Sequence, residues 1–230
     1  MTGERVDAVL LDAGGVLILP EHDVMRASLR PYGVEPSDGV LTRAHYAAMA
    51  AREADLERPW AAYARAYAEA CGVRAGLVGD AADALFVARP EWTSPTPWAG
   101  DLRRLVKLGI EVAVVSNAVG TVEWQLRTAG VCQVGDGAGV PVRAVIDSHL
   151  VGVRKPDPAI FALGLDAVGT TREHALMVGD YALADVWGAE RAGIRAVHLD
   201  PYGDCRTTHA APDVPDLAAV VELVRQRHAR

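Results

Sequence analysis

The chain has 230 residues and half of them are apolar, enough for a well-buried core in one domain or in a domain carrying an insert. Its formal net charge of −7 argues against a broad nucleic-acid footprint, because phosphate-backbone binders carry a basic surplus. No apolar run approaches the roughly 18 residues that span a bilayer, and the N-terminus lacks a signal-peptide pattern, so no membrane partner is expected. Cys71, Cys132 and Cys205 are widely spaced and fit no metal pattern, which suits a reducing cytoplasm.

The first element is the apolar run Val6-Asp7-Ala8-Val9-Leu10-Leu11, which reads as a buried strand. It ends on Asp12, ahead of Ala13-Gly14-Gly15. A carboxylate at the carboxyl end of such a strand, followed by a glycine turn, stands where open α/β sheets bind their ligands. A plain turn aspartate is the competing reading. The stretch 20–95 holds no convincing strand but has helical patterns at 22–30, 40–54, 59–70 and 80–87. Roughly 75 residues between two strands is far beyond a normal βαβ connection and points to an inserted helical subdomain. Within it His45, Met49 and Arg52 share one helix face, where packing with a solvated edge outweighs a substrate contact. Trp60, Tyr63 and Tyr67 recur at helical spacing, where a packing stripe outweighs a substrate wall. Pro90, Pro95 and Pro97 suit a return hinge flanked by the packing residues Trp92 and Trp98.

Beyond the hinge, strands ending near Ser116, Ile146, Val178 and Leu199 alternate with helices at 121–129, 158–168 and 182–192, and a last helix covers 216–228. That alternation predicts a parallel sheet with right-handed crossovers. Three of these segments carry polar residues at strand ends or helix starts. They are Val112-Ala113-Val114-Val115-Ser116-Asn117, then Gly152-Val153-Arg154-Lys155-Pro156-Asp157-Pro158, then Ala175-Leu176-Met177-Val178-Gly179-Asp180 with Asp185 five residues on. Taken singly each is ordinary, since most lysines are on the surface. Gly135-Asp136-Gly137-Ala138-Gly139 imitates a phosphate loop in composition alone. It lacks the strand-turn-helix setting and the Lys-Ser/Thr ending, and reads as a flexible turn. Tyr202-Gly203-Asp204-Cys205 with His209 has no metal-ligand spacing and reads as a loop leading to the last helix.

Taken together, Asp12, Ser116, Lys155 and the Gly179-Asp180 pair with Asp185 resemble, in order, the four motifs of the haloacid dehalogenase superfamily of hydrolases. The resemblance runs from about Val6 to Leu199. It implies a Rossmann-like α/β core of residues 1–19 and 96–230, strand order 5-4-1-2-3, and a helical cap of residues 20–95. It also implies a hydrolase, above all a phosphatase acting on a small phosphorylated metabolite. Asp12 would be the nucleophile, with Ser116 and Lys155 beside it. Mg²⁺ would be held by Asp12, the Gly14 carbonyl, Asp180 and Asp185. Gly15 and the Asn117 amide are the implied substrate contacts, and His45 and Arg52 are the candidate contacts that the cap's shared helix face adds.

One position departs from the phosphatase pattern. The second aspartate usual two residues after the nucleophile, a general acid and base, is here Gly14. A missing acid typically costs about 10²–10⁴-fold in rate. Four outcomes are compatible: a good leaving group, an acid from the cap (Glu21, His22, Asp23 or His45), a different reaction, or binding without turnover. The different reaction would be that of a metal-free 2-haloacid dehalogenase, which tolerates Gly14 but lacks the acidic pair. The last outcome would be a ligand-binding protein on a hydrolase fold. Monomer and symmetric homodimer are both open.

Overall fold

The apolar runs form the strands of one parallel sheet, in a computed structural model that describes residues 5–228. Across the sheet the order is Asp213–Val214, Arg195–Leu199, Ala175–Gly179, Ala8–Leu11, Glu111–Ser116 and Ala144–Asp147. This is the expected order 5-4-1-2-3 with one strand added at the edge. That strand, Asp213–Val214, is two residues long and so leaves no periodicity to read. Ala8–Leu11 is buried along its whole length, and both neighbours nearly so, which is why they appear as continuous rather than alternating apolar runs.

Register carries the polar strand ends to one place. Leu11 lies opposite Val114 on one side and Val178 on the other. Asp12, Ser116 and the Gly179-Asp180 pair therefore all emerge at the carboxyl edge, where the connections diverge around the central strand. Helix Pro158–Val168 fixes the approach of Lys155. Asp157 accepts from the Ala159 N–H as its N-cap, and Pro158 occupies the first turn. A methyl group on Gly164 would stand 3.0 Å from Val115 Cγ2, so this helix lies unusually near the sheet.

The chain divides into two compact units, and Leu19–Ser94 with Tyr202–Thr208 forms the second. Its helices are His22–Leu29, Asp38–Ala54, Pro59–Ala70 and Val78–Ala88. The segment around Tyr202 is more than a connection to the last helix. The Arg43 guanidinium pairs with the Asp204 carboxylate and lies over the Tyr202 ring at 4.6 Å. The Thr207 hydroxyl donates to Glu53 at 2.6 Å. Sequence periodicity reports local pattern and is silent on such distant partners.

Three local differences remain. The helix expected over 182–192 is a π-helical turn, Ala182–Val186, running into a short α-helix, Trp187–Arg191. Ile18–Leu19 pairs with Ser94–Pro95, a ribbon too short to show in the sequence. The turn 135–139 joins a second small ribbon, Cys132–Val134 with Val140–Val142. Gln133 fills it, donating to the Gly139 carbonyl at 3.2 Å and accepting from the Gly139 N–H at 2.9 Å. A methyl group on Gly137 would come within 2.7 Å of that side chain, so these glycines make room for a glutamine, not a phosphate. No helix among the described residues is long and apolar enough to cross a membrane.

Candidate active site

Asp12 follows the central strand directly, and its N–H donates to the Val178 carbonyl at 2.9 Å, extending the ladder by one bond. The carboxylate Oδ1 accepts from the Ala13 N–H at 2.8 Å and pairs with Lys155 Nζ at 2.8 Å. The glycine turn behind it is closed by its own backbone. Gly15 takes a left-handed φ of 70°, which favours glycine, and donates to the Ile18 carbonyl at 2.8 Å. Its N–H is thereby committed to the turn, which corrects the expectation that Gly15 contacts substrate. Gly14 sits half-buried in the same turn, bridged to Ile18.

Lys155 is buried, and its ammonium stands between Asp12 Oδ1 and Asp185 Oδ1, the latter at 2.6 Å. Asn117 holds it there. The Lys155 N–H donates to Asn117 Oδ1 at 2.8 Å while Asn117 Nδ2 donates to the Lys155 carbonyl at 2.9 Å. This two-way clamp commits the Asn117 side chain to placing Lys155. Burial alone would depress the lysine pKa, but the charges of Asp12 and Asp185 outweigh it and hold Lys155 above its ordinary value.

Asp185, the partner of the lysine, lies in the π-helical turn, which the Trp187 N–H closes onto the Ala182 carbonyl. The Asp185 N–H donates to the Tyr181 carbonyl at 2.8 Å, and its Oδ2 accepts from the Tyr181 N–H at 3.1 Å. Gly179 makes the room, since a methyl group there would fall 2.3 Å from the Asp185 side chain. The glycine of the Gly-Asp pair is thus a steric requirement of the second aspartate. Burial pushes the Asp185 carboxyl up to about 7; the Asp12 and Asp180 charges add to this and Lys155 opposes it. Carboxylate oxygens of Asp12, Asp180 and Asp185 lie within 4.8 Å of one another. Three acids face one ammonium, leaving surplus negative charge suited to a hard divalent cation.

Ser116 ends the next strand, buried, and its hydroxyl makes no hydrogen bond among the described residues. The loop after it is fixed by Asp147, a residue the sequence reading passed over. Asp147 Oδ2 accepts from the Gly120 N–H and Oδ1 from the His149 N–H, each at 2.9 Å. Its signal was present, because Ala144-Val145-Ile146-Asp147 is another apolar strand closed by an acid.

In the helical unit His45 is not a surface contact. It is buried, bonded through Nδ1 to the Tyr63 hydroxyl at 2.8 Å, and packed edge-on against Tyr46, Tyr63 and Trp92. The expectation of a substrate-binding His45 is therefore corrected to a core residue. Arg52 stacks its guanidinium over the Trp60 ring at 4.3 Å. Tyr63 and Tyr67 are buried as a packing stripe requires, whereas Trp60 is half-exposed. Trp60, Tyr63, Phe86, Arg89 and Trp92 help to line a cavity of about 160 Å³ inside this unit.

The comparisons with known proteins agree with this architecture. The model of the haloacid dehalogenase-like hydrolases matches residues 6–193. A phosphoserine phosphatase of Thermus thermophilus is 36% identical over 106 residues, covering 46% of this chain and 40% of that protein. A ribulose-1,5-bisphosphate 5-phosphatase of Halopiger xanaduensis is 30% identical over 131 residues, 56% of this chain and 52% of that protein. The chain thus spans about half the length of these curated relatives. Among solved structures, the putative HAD-hydrolase YfnB of Bacillus subtilis superposes with a TM-score of 0.61 at 16% identity, covering 96% of this chain and 99% of that one. An L-2-haloacid dehalogenase of Xanthobacter autotrophicus gives 0.58 at 22%, with the same coverage, a likeness of fold alone. The family match spans most of the chain and takes in every element of the carboxylate cluster: the protein belongs to the haloacid dehalogenase-like hydrolases.

Proposed function

We propose that the protein is a Mg²⁺-dependent phosphatase that acts on a small phosphorylated metabolite through Asp12. The observation that carries this reading is the set of three converging carboxylates around one buried ammonium. Phosphatase names among the sequence relatives support it. Two donors anchor Asp12 Oδ1, so Oδ2 is the oxygen free to attack phosphorus. Attack forms an O–P bond as the P–O bond to the leaving group breaks, and that group departs with the electron pair. Water then attacks phosphorus and restores the carboxylate. The Ser116 hydroxyl donates to a phosphoryl oxygen, and Lys155 balances charge gathered at the nucleophile. Mg²⁺ held by Asp12, Asp180, Asp185 and the Gly14 carbonyl would polarise the phosphoryl group. Arg52, in the unit we assign as the cap, is the proposed cationic substrate contact.

The Asp185 carboxyl gives this reading a pH signature. Its folded pKa lies near 7, above the ordinary 3.8, so the fold favours its protonated form. That contribution is fully present below the ordinary value and is lost as pH rises through the folded one. The metal-free protein should therefore lose stability between about pH 4 and pH 7 through this group, and Mg²⁺ should restore it where the proton has gone. Thermal melts should show a larger Mg²⁺-induced rise in Tm at about pH 8 than at about pH 5. Equal rises would remove Asp185 from the metal site.

Gly14 makes the leaving group decisive. With no acid beside the nucleophile, aryl phosphates should be cleaved far faster than alkyl phosphates, and Gly14→Asp should raise alkyl turnover by about 10-fold or more. His22 is a poor substitute acid, since burial lowers its pKa and keeps it neutral near pH 7. A flat dependence on leaving-group pKa would assign the acid to Glu21 or Asp23. Gly14 also admits the metal-free dehalogenase as a second reading. Halide release from a 2-haloacid, with no phosphate release from any ester at any Mg²⁺ concentration, would establish that reading instead.

A further inference from the structure

One peptide unit ties two acids of the carboxylate cluster to a histidine on the next strand. The Tyr181 N–H donates to Asp185 Oδ2 at 3.1 Å, and the other end of that same unit is the Asp180 carbonyl. The carbonyl accepts from His198 Nε2 at 3.3 Å. A peptide unit is planar, so its N–H and C=O turn together and holding one end aims the other. His198 thus grips the plane that joins Asp180 to Asp185, two of the three converging acids.

The ring is itself held. His198 is buried in the strand Arg195–Leu199 and lies opposite Gly179 in register. Its Nδ1 stands 2.9 Å from Oδ1 of Asp213, its register partner on the edge strand. A carbonyl and a carboxylate only accept, so both ring nitrogens donate. A half-turn of the ring would put carbon at both contacts and lose them. The His209 ring packs edge to face against it, with centroids 4.7 Å apart.

We propose that His198, anchored by Asp213, is a positioning residue for the metal site: it holds the 180–181 peptide so that the Asp180 and Asp185 carboxylates present their oxygens together. This rests on the reading of those acids as Mg²⁺ ligands. A partner that orients a ligand from outside the coordination shell typically accounts for about 10–100-fold in metal affinity. His198 acts through the peptide and not on the substrate, so its effect falls on Mg²⁺ affinity rather than on substrate KM.

The experiment is a Mg²⁺ titration of the substrate-free protein, read as the rise in Tm, beside substrate KM at saturating Mg²⁺. His198→Asn removes the Nε2 donor and leaves a short amide on the Asp213 side, whereas His198→Gln carries an amide N–H to the Nε2 position. The half-saturating Mg²⁺ concentration should rise about 10-fold or more in His198→Asn and return towards the parent value in His198→Gln, with KM the same in all three. Should His198→Asn misfold, Asp213→Ala decides the matter, since that side chain is 62% exposed and its loss frees the ring; the midpoint should rise there too. Equal rises in the Asn and Gln variants would mean lost packing and overturn the proposal. So would an unchanged midpoint in His198→Asn, or in Asp213→Ala where that variant decides, while Asp180→Asn raises it. An unchanged midpoint in Asp180→Asn would overturn the Mg²⁺ reading of that acid, and this inference with it.

Discussion

Asp12→Asn should abolish turnover and leave the fold intact. The amide is isosteric but is a poor nucleophile, so the expected loss is about 10³-fold or more in kcat. Stability should change little because the local charge is unbalanced towards acid. Removing one carboxylate still leaves Lys155 paired with Asp185 at 2.6 Å, and the Ala13 N–H can bond the amide oxygen as it did Oδ1. Steady-state rates with an aryl phosphate, beside thermal melts, make the comparison. Retention of more than a few per cent of activity would exclude covalent catalysis by this residue.

Lys155→Met should act in the opposite proportion, damaging the fold as well as the chemistry. The side chain is buried and its ammonium separates carboxylates that otherwise face one another. Breaking a buried ion pair by removing one partner costs about 3–5 kcal/mol, because the remaining charge stays uncompensated. The loss should be greatest in metal-free protein above pH 7, where Asp185 is ionised, and should shrink on acidification or on adding Mg²⁺. Denaturant unfolding at two pH values tests this. A variant as stable as the parent at high pH without metal would show that charge balance is not the lysine's contribution.

The sequence was legible where chemistry and periodicity coincide. Apolar runs closed by Asp12, Ser116 and Asp180 marked both the strands and the edge at which they end, since a parallel sheet buried on both faces leaves polar residues only at strand ends. Asp147 carried the same signal and was passed over, because an acid that accepts two loop N–H groups looks in sequence like one that reacts. Gly15 was assigned to a ligand, whereas the structure commits its N–H to a neighbour, and the Asn117 side chain holds Lys155 in place. Their partners, Lys155 and Ile18, follow from register and turn closure, which single-residue chemistry does not encode. His45 was misread for a related reason. A helix face tells which residues travel together but not which of two faces is buried. The attachment of Tyr202–Thr208 to the helical unit rests on Arg43–Asp204 and Glu53–Thr207, pairs more than 150 residues apart.

The central claim is that Asp12 attacks phosphorus. Its most direct test is acid-quenched mass spectrometry of the protein mixed with an aryl phosphate and Mg²⁺. The account predicts a single phosphoryl adduct, mapped to Asp12 and absent from Asp12→Asn, that decays as free phosphate appears. Phosphate release with no adduct at any quench time, or an adduct on a different side chain, would contradict it.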